Sequence, residues 1–192
     1  HFSEHHEVKL VSLLDRITDN EARIYQGFNN DLGGDLRVTR LRWIERMLFA
    51  QQVQGIHVFP GAMDLQLDWR YTFSLAPRDE PDKREYRQDF EEADEEGEED
   101  LWILSDRPEG NERFFSELMD LNHDVSFDLT LPFLQWTGEE ARAMVGFTSV
   151  VKDREVDTRR FHFAGIDAMP IEALAASPEY AFSPQWIGTE TG

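Results

Sequence analysis

Asp64 and Asp68 are the carboxylates in this chain best spaced for chemistry, with Arg70 two residues beyond them. On an extended strand, residues two or four apart share one side, so this pair could hold a Mg²⁺ ion for a metal-dependent hydrolase or nuclease. A catalytic lysine or a second acid at a recognisable offset is missing, and the same spacing fits the wet face of an ordinary antiparallel strand. The six histidines are His1, His5, His6, His57, His123 and His162. His1 and His5 are four apart, which would put two imidazoles on one helical face, but the HExxH pattern is absent. His123 stands beside Asp124 at a turn, and His162 points away from Phe161 and Phe163. The chain has no cysteine, which removes thiolate nucleophiles, disulfides and Cys-ligated zinc together. No G-x-S-x-G elbow occurs, and "DLGGD" lacks the Lys-Ser/Thr of a phosphate-binding loop. We therefore assign no catalytic residue, no metal ligand and no cofactor, and the sequence leans away from an enzyme.

Acidity is the strongest compositional signal. The 192 residues hold 39 acids against 19 bases, a net charge of −20. Such a field repels bare nucleic acid and anionic membrane surfaces. Nine of the twelve residues from Asp89 to Asp100 are acidic. Glu91, Glu92, Asp94, Glu95, Glu96, Glu98, Glu99 and Asp100 are the candidate partner-binding residues, suited to a basic protein surface or to a nucleic-acid-binding protein. An extended acidic segment rises by about 3.3 Å per residue, close to the charge spacing of a nucleic-acid strand, so mimicry is one form this contact could take. Arg37, Arg40, Arg42 and Arg46 make residues 36–52 the most basic stretch, and we expect them to pair with acids.

The elements that would position these groups follow from periodicity. Val8, Val11, Leu14 and Ile17 recur at helical spacing, which predicts a helix over 4–18. A second helix is predicted over 36–52, and a third over 112–121, with Asn111 as its cap. Met63 to Leu75 alternates apolar and polar residues without a break, the pattern of a long strand with one buried and one wet face. Residues 55–62, 101–105, 123–136, 141–151 and 158–166 read as further strands, and 170–177 as a short helix. Residues 12–23, "SLLDRITDNEAR", resemble the start of the small baseplate subunit of type VI secretion systems; the later segments do not follow that family, so nothing is carried over.

The expected fold is α+β, a mostly antiparallel sheet of about five or six strands packed with two or three helices. We expect one globular domain over 1–192: a helical part (about 4–52), a β-rich body (about 55–166), an acidic insertion (about 77–100) and an irregular tail (about 167–192). A chain of this size can bury about 70% of its unfolded surface. No run of eighteen apolar residues exists, so we expect no membrane; the lack of cysteine is compatible with a reducing cytoplasm, the expected location. The expected function is a non-enzymatic acidic interaction protein: an assembly subunit, adaptor or inhibitor engaging a basic surface. The alternatives are a small metal-dependent hydrolase or nuclease using Asp64 and Asp68, and a small-ligand-binding β-rich domain.

Overall fold

In the computed structural model the described residues are 4–31, 33–93, 99–107, 110–163, 165–183 and 186. They form seven strands: β1 (His6–Asn29), β2 (Gly34–Phe59), β3 (Leu65–Leu75), β4 (Arg78–Glu91), β5 (Leu101–Leu104), β6 (Glu112–Leu134) and β7 (Glu140–His162). Two one-turn helices follow, α1 (Ile171–Leu174) and α2 (Pro178–Ala181), with 3₁₀ turns at Pro60–Ala62 and Ile166–Ala168. No helix among the described residues is long and apolar enough to cross a membrane.

The α+β expectation is thereby corrected: the chain is an antiparallel sheet with almost no helix. Residues 4–18 fall in β1, 36–52 in β2, and 112–121 at the start of β6. The physical reason is visible in β1. Val8, Val11, Leu14 and Ile17 fit a period of 3.6, but Val8, Leu10 and Leu14 also fit a period of two. Where apolar residues occupy both faces of a segment, periodicity cannot choose, and pairing with neighbouring strands overrides local propensity. The predicted loop "KDREVD" lies inside β7, which joins the two strands expected on either side of it.

β1, β2, β3 and β6 lie side by side, β7 pairs with β6, β5 pairs with β4, and β4 lies next to both β2 and β6. β3 leads directly towards β4: Met47 N–H donates to Pro77 O (3.1 Å), and Ala76 N–H donates to Asp120 O (2.8 Å). β1, β2, β6 and β7 have 24, 26, 23 and 23 residues, several times the usual strand length of roughly five or six.

The chain divides into two compact units. The first, unit 1, comprises His1–Ile17, Glu45–Asp79 and Leu118–Val156; the second, unit 2, comprises Thr18–Ile44, Glu80–Glu117 and Asp157–Gly192. All the buried apolar side chains among the described residues, Val38, Ile44, Tyr86, Leu104, Ile166, Ala173 and Ala181, belong to unit 2. Tyr86, Leu104, Ile166 and Ala181 form one cluster, onto which Phe163, Met169, Leu174 and Phe182 pack. Asn111, expected as a helix cap, is instead fully buried at φ 56°. Its amide donates to Ser105 O (2.6 Å), its side-chain oxygen accepts from Arg87 N–H (3.2 Å), and its carbonyl accepts from Phe163 N–H (3.2 Å). It ties β4, the end of β5 and the end of β7 together through one residue.

Ion pairs supply the rest of unit 2. Arg40 Nε donates to Glu85 (2.7 Å), and Arg42 Nε lies 3.3 Å from the buried Glu80. Arg113 reaches Asp82 through two nitrogens (2.9 and 2.8 Å), and Arg84 reaches it at 2.7 Å. Burial alone would raise the Asp82 pKa, but the hydrogen bonds from Arg113 and Arg84 prevail and hold it below the usual aspartate range. A carboxyl depressed in this way stabilises the fold above its unfolded pKa of about 3.9, and that contribution is lost as pH falls through the folded value. Asp82→Asn should therefore cost about 1–3 kcal/mol at neutral pH. The deficit should shrink as pH is lowered below about 4, a dependence that thermal unfolding of both proteins across pH will measure.

Candidate functional site

Cross-strand register sorts the side chains of unit 1 into rows. Leu67 lies between His57 and Leu129, Trp69 between Gly55 and Phe127, and Tyr71 between Val53 and Val125. Phe73 lies between Gln51 and His123, and Leu75 between Phe49 and Leu121. Residues directly opposite one another share a face, so these rows make one continuous apolar and aromatic surface. The alternate rows are almost wholly polar. Gln66 lies between Val58 and Thr130, Asp68 between Ile56 and Asp128, Arg70 between Gln54 and Ser126, and Thr72 between Gln52 and Asp124.

The outer strands continue both surfaces. His6 of β1 meets His57 (Nδ1 to Nδ1, 3.2 Å), which places Val8, Leu10 and Leu14 on the apolar side by alternation. On β7, Lys152 and Arg154 pair with Asp120, and Gly146 lies against Asp128. Both acids belong to the polar rows, so Val145, Phe147 and Val151 fall on the apolar side.

Leu67, Trp69, Phe73 and Val125 of the apolar rows are only half-buried, as no closed core would leave them, and the contrast between the faces is sharpest on β6. Ser126 and Thr130 on the polar side are 7% and 8% exposed, whereas Phe127 and Leu129 on the apolar side are 46% and 37% exposed. Val145, Phe147 and Val151 are each more than half exposed, and unit 1 has no buried apolar side chain among its described residues. Apolar patches beyond a few hundred Å² on a soluble monomer mark interaction sites, and this one extends across five strands.

The polar groups on the apolar side are joined to one another. Trp69 Nε1–H donates to His57 Nε2 (2.9 Å). An indole only donates, so Nε2 accepts, and in the neutral ring Nδ1–H is left to donate to His6 Nδ1. Tyr71 and His123 share a hydrogen bond of 2.8 Å, and Gln51 donates to Ser12 (3.5 Å). Trp69 lies flat across Gly55, where any Cβ would run into the indole ring. Trp136, in the short turn between β6 and β7, is 96% exposed.

The residues singled out by sequence are scattered. Asp68 stands in a polar row, accepting from Gln66 (2.8 Å), while Asp64 lies outside β3 in a turn at φ 57°. Strand alternation therefore does not carry the two to one side. Among the described residues no group of three or more His, Asp or Glu side chains could hold a metal ion. Glu91 ends β4, and Glu91, Glu92, Glu99 and Asp100 are exposed. Asp94, Glu95, Glu96 and Glu98 lie outside the described residues. Arg40 and Arg42 pair with Glu85, Glu80 and Glu21, and Arg37 stacks on Trp102 at 4.2 Å. The apolar face is not among the sites expected from sequence; its signal is the alternation from Met63 to Leu75, which does not say what covers either face.

Gly55→Ala should displace the Trp69 ring, break its bond to His57 and lower stability by about 1–3 kcal/mol. Gly27→Ala, which meets nothing within 4 Å, is the control expected to stay near neutral; unfolding midpoints followed by tryptophan fluorescence compare the two. No protein-family model matches the chain, and no curated protein matches it.

Proposed function

We propose that unit 1 is a section of the wall of a membrane β-barrel, with its apolar face in lipid and its polar face towards a hydrated interior. The observation that carries this reading is the burial contrast on β6 and β7: Ser126 and Thr130 are covered while Phe127, Leu129, Val145, Phe147 and Val151 are open. The dimensions fit. From Leu65 to Leu75 the apolar rows span ten residue steps, about 34 Å along the strand at ~3.4 Å per residue. Tilted by the usual 35–45°, that gives roughly 25 Å, the height of the apolar band on such walls. In hydrocarbon every polar group needs an internal partner, which accounts for the Trp69–His57–His6, Tyr71–His123 and Gln51–Ser12 contacts. Exposed Trp136 suits the membrane–water boundary, where amphipathic rings concentrate. The same requirement means that the outer edges of β1 and β7, each paired on one side among the described residues, take up further strands in the membrane.

The role is non-enzymatic, a conduit or scaffold. Alternating strands never produce the continuous apolar run that marks a membrane helix, so its absence does not bear on a barrel. A barrel wall would replace the cytoplasmic expectation. In detergent or vesicles of neutral phospholipid, Phe127→Lys should weaken insertion by about 2–4 kcal/mol, while Ser126→Lys on the other face should be tolerated far better. If instead the protein is monomeric and stable in plain buffer and Phe127→Lys leaves it so, the reading fails.

A second reading concerns the acidic stretch and is compatible with the first. β4 and β5 pair from Gln88 with Leu104 to Glu91 with Leu101, and the Phe90 and Trp102 rings meet at 5.0 Å. This hairpin holds the two ends of the run together, which favours a defined contact with a basic protein surface over a free spacer. Binding to such a partner should weaken steeply with salt and on converting Glu91, Glu92, Glu95 and Glu96 to Gln. Affinity indifferent to both changes would remove the acidic contact from consideration.

A further inference from the structure

Two hydrogen bonds on the apolar side of unit 1 fix the protonation state of two imidazoles. Trp69 Nε1–H donates to His57 Nε2 (2.9 Å), and His57 Nδ1 lies 3.2 Å from His6 Nδ1. An indole nitrogen only donates, so His57 Nε2 carries no proton. The proton of the neutral His57 ring is then on Nδ1, and His6 Nδ1 accepts it. Any further proton must break one of these bonds. On His57 Nε2 it would face the indole N–H, and on His6 Nδ1 it would face His57 Nδ1–H. The chain of bonds is complete only while both rings are neutral, and imidazole is the side chain that changes charge between pH 5 and 8.

The surroundings of the pair are apolar. On this side β1 continues with Val8, β2 has Gly55 and Phe59, and β3 has Leu67 and Trp69. The Phe59 ring lies 5.7 Å from His6 and 6.5 Å from His57. His5 and Glu7, which flank His6, and Asp68 on β3 alternate to the polar side. Further along the apolar side, Tyr71 bonds to His123 (2.8 Å) and Arg16 to Glu45 (2.9 Å). No carboxylate of these three strands stands beside the pair on this side among the described residues. The position matters for β1. His6 is half-buried, whereas residues 7–17 of the same strand are exposed, and Val58 N–H donates to His5 O (2.8 Å) directly beside it. Two further side-chain links from β1 to β2, Ser12 with Gln51 and Arg16 with Glu45, involve no group that ordinarily changes charge between pH 5 and 8.

We propose that the Trp69–His57–His6 chain of bonds is a proton-operated latch, which fastens the start of β1 to β2 and β3 at neutral pH and releases it in acid. The inference stands on three side chains of unit 1 and does not need the membrane reading. The test uses the full protein in neutral detergent micelles. At pH 8, ¹⁵N spectra should show the His57 proton on Nδ1, with Nε2 bare. Hydrogen exchange of residues 4–12, corrected for the intrinsic pH dependence of exchange, should lose protection by about tenfold between pH 8 and pH 5, roughly the loss of one or two hydrogen bonds. The double variant His6→Gln/His57→Gln keeps an acceptor for Trp69 Nε1–H and a donor between the two side chains, with no charge to gain. Its protection should change by less than about twofold over the same interval. A His57 proton on Nε2 at pH 8, wild-type protection unchanged at pH 5, or an equal loss in the double variant would overturn the proposal.

Discussion

Backbone pairing between long antiparallel strands is the constraint on which the rest of this structure depends. The inner strands of unit 1 satisfy their main-chain groups through neighbours on both sides, and the pairing imposes a period of two on every side chain. Once Trp69 is opposite Gly55 and Phe127, and Asp68 opposite Ile56 and Asp128, the two faces are decided for whole strands. A slip of one residue would exchange them. The close fit of Trp69 over Gly55, and of Asp128 against Gly146, makes such a slip costly.

The two units solve the burial problem differently. Unit 2 has a small core around Tyr86 and Leu104, covered by the segment that carries α1 and α2, and it is laced by ion pairs among Arg40, Glu85, Asp82 and Arg113. Among its described residues unit 1 has no such core, and its aromatic rows are half-buried or open. In water that arrangement forgoes hydrophobic stabilisation, the main favourable term in folding. In hydrocarbon the same rows match their surroundings, and stability comes from the hydrogen-bond ladder, which has no competing water. The two units thus carry different kinds of surface, and the medium that suits each follows from which side chains its register exposes.

Several elements were legible before the structure. The alternation of β3 was plain, as were the short helix in the tail and the predominance of antiparallel strands. The three predicted helices failed for a common reason. In β1, β2 and the start of β6, apolar residues occupy both faces, so Val8, Leu10, Val11 and Leu14 satisfy helical and strand templates at once. The acidic stretch was legible as charge, and β5 as a strand, but the pairing of Phe90 with Trp102 that makes a hairpin of them is a long-range fact. Among the candidate site residues, the relation of Asp64 to Asp68 depended on where β3 begins, and the left-handed turn at Met63 and Asp64 moved that boundary.

The sequence by itself determined composition, charge, the absence of thiol chemistry and the period-two pattern from Met63 to Leu75. Those are properties of single residues and of their near neighbours. Only the tertiary structure decided which strands stand beside β3, and hence that its apolar rows extend across five strands with no buried apolar side chain among the described residues of unit 1. Alternation states that a strand has two unlike faces; it does not state which medium each face meets. That choice belongs to the pairing of residues as far apart as Gly55 and Trp69, or Tyr71 and His123, which no local pattern encodes.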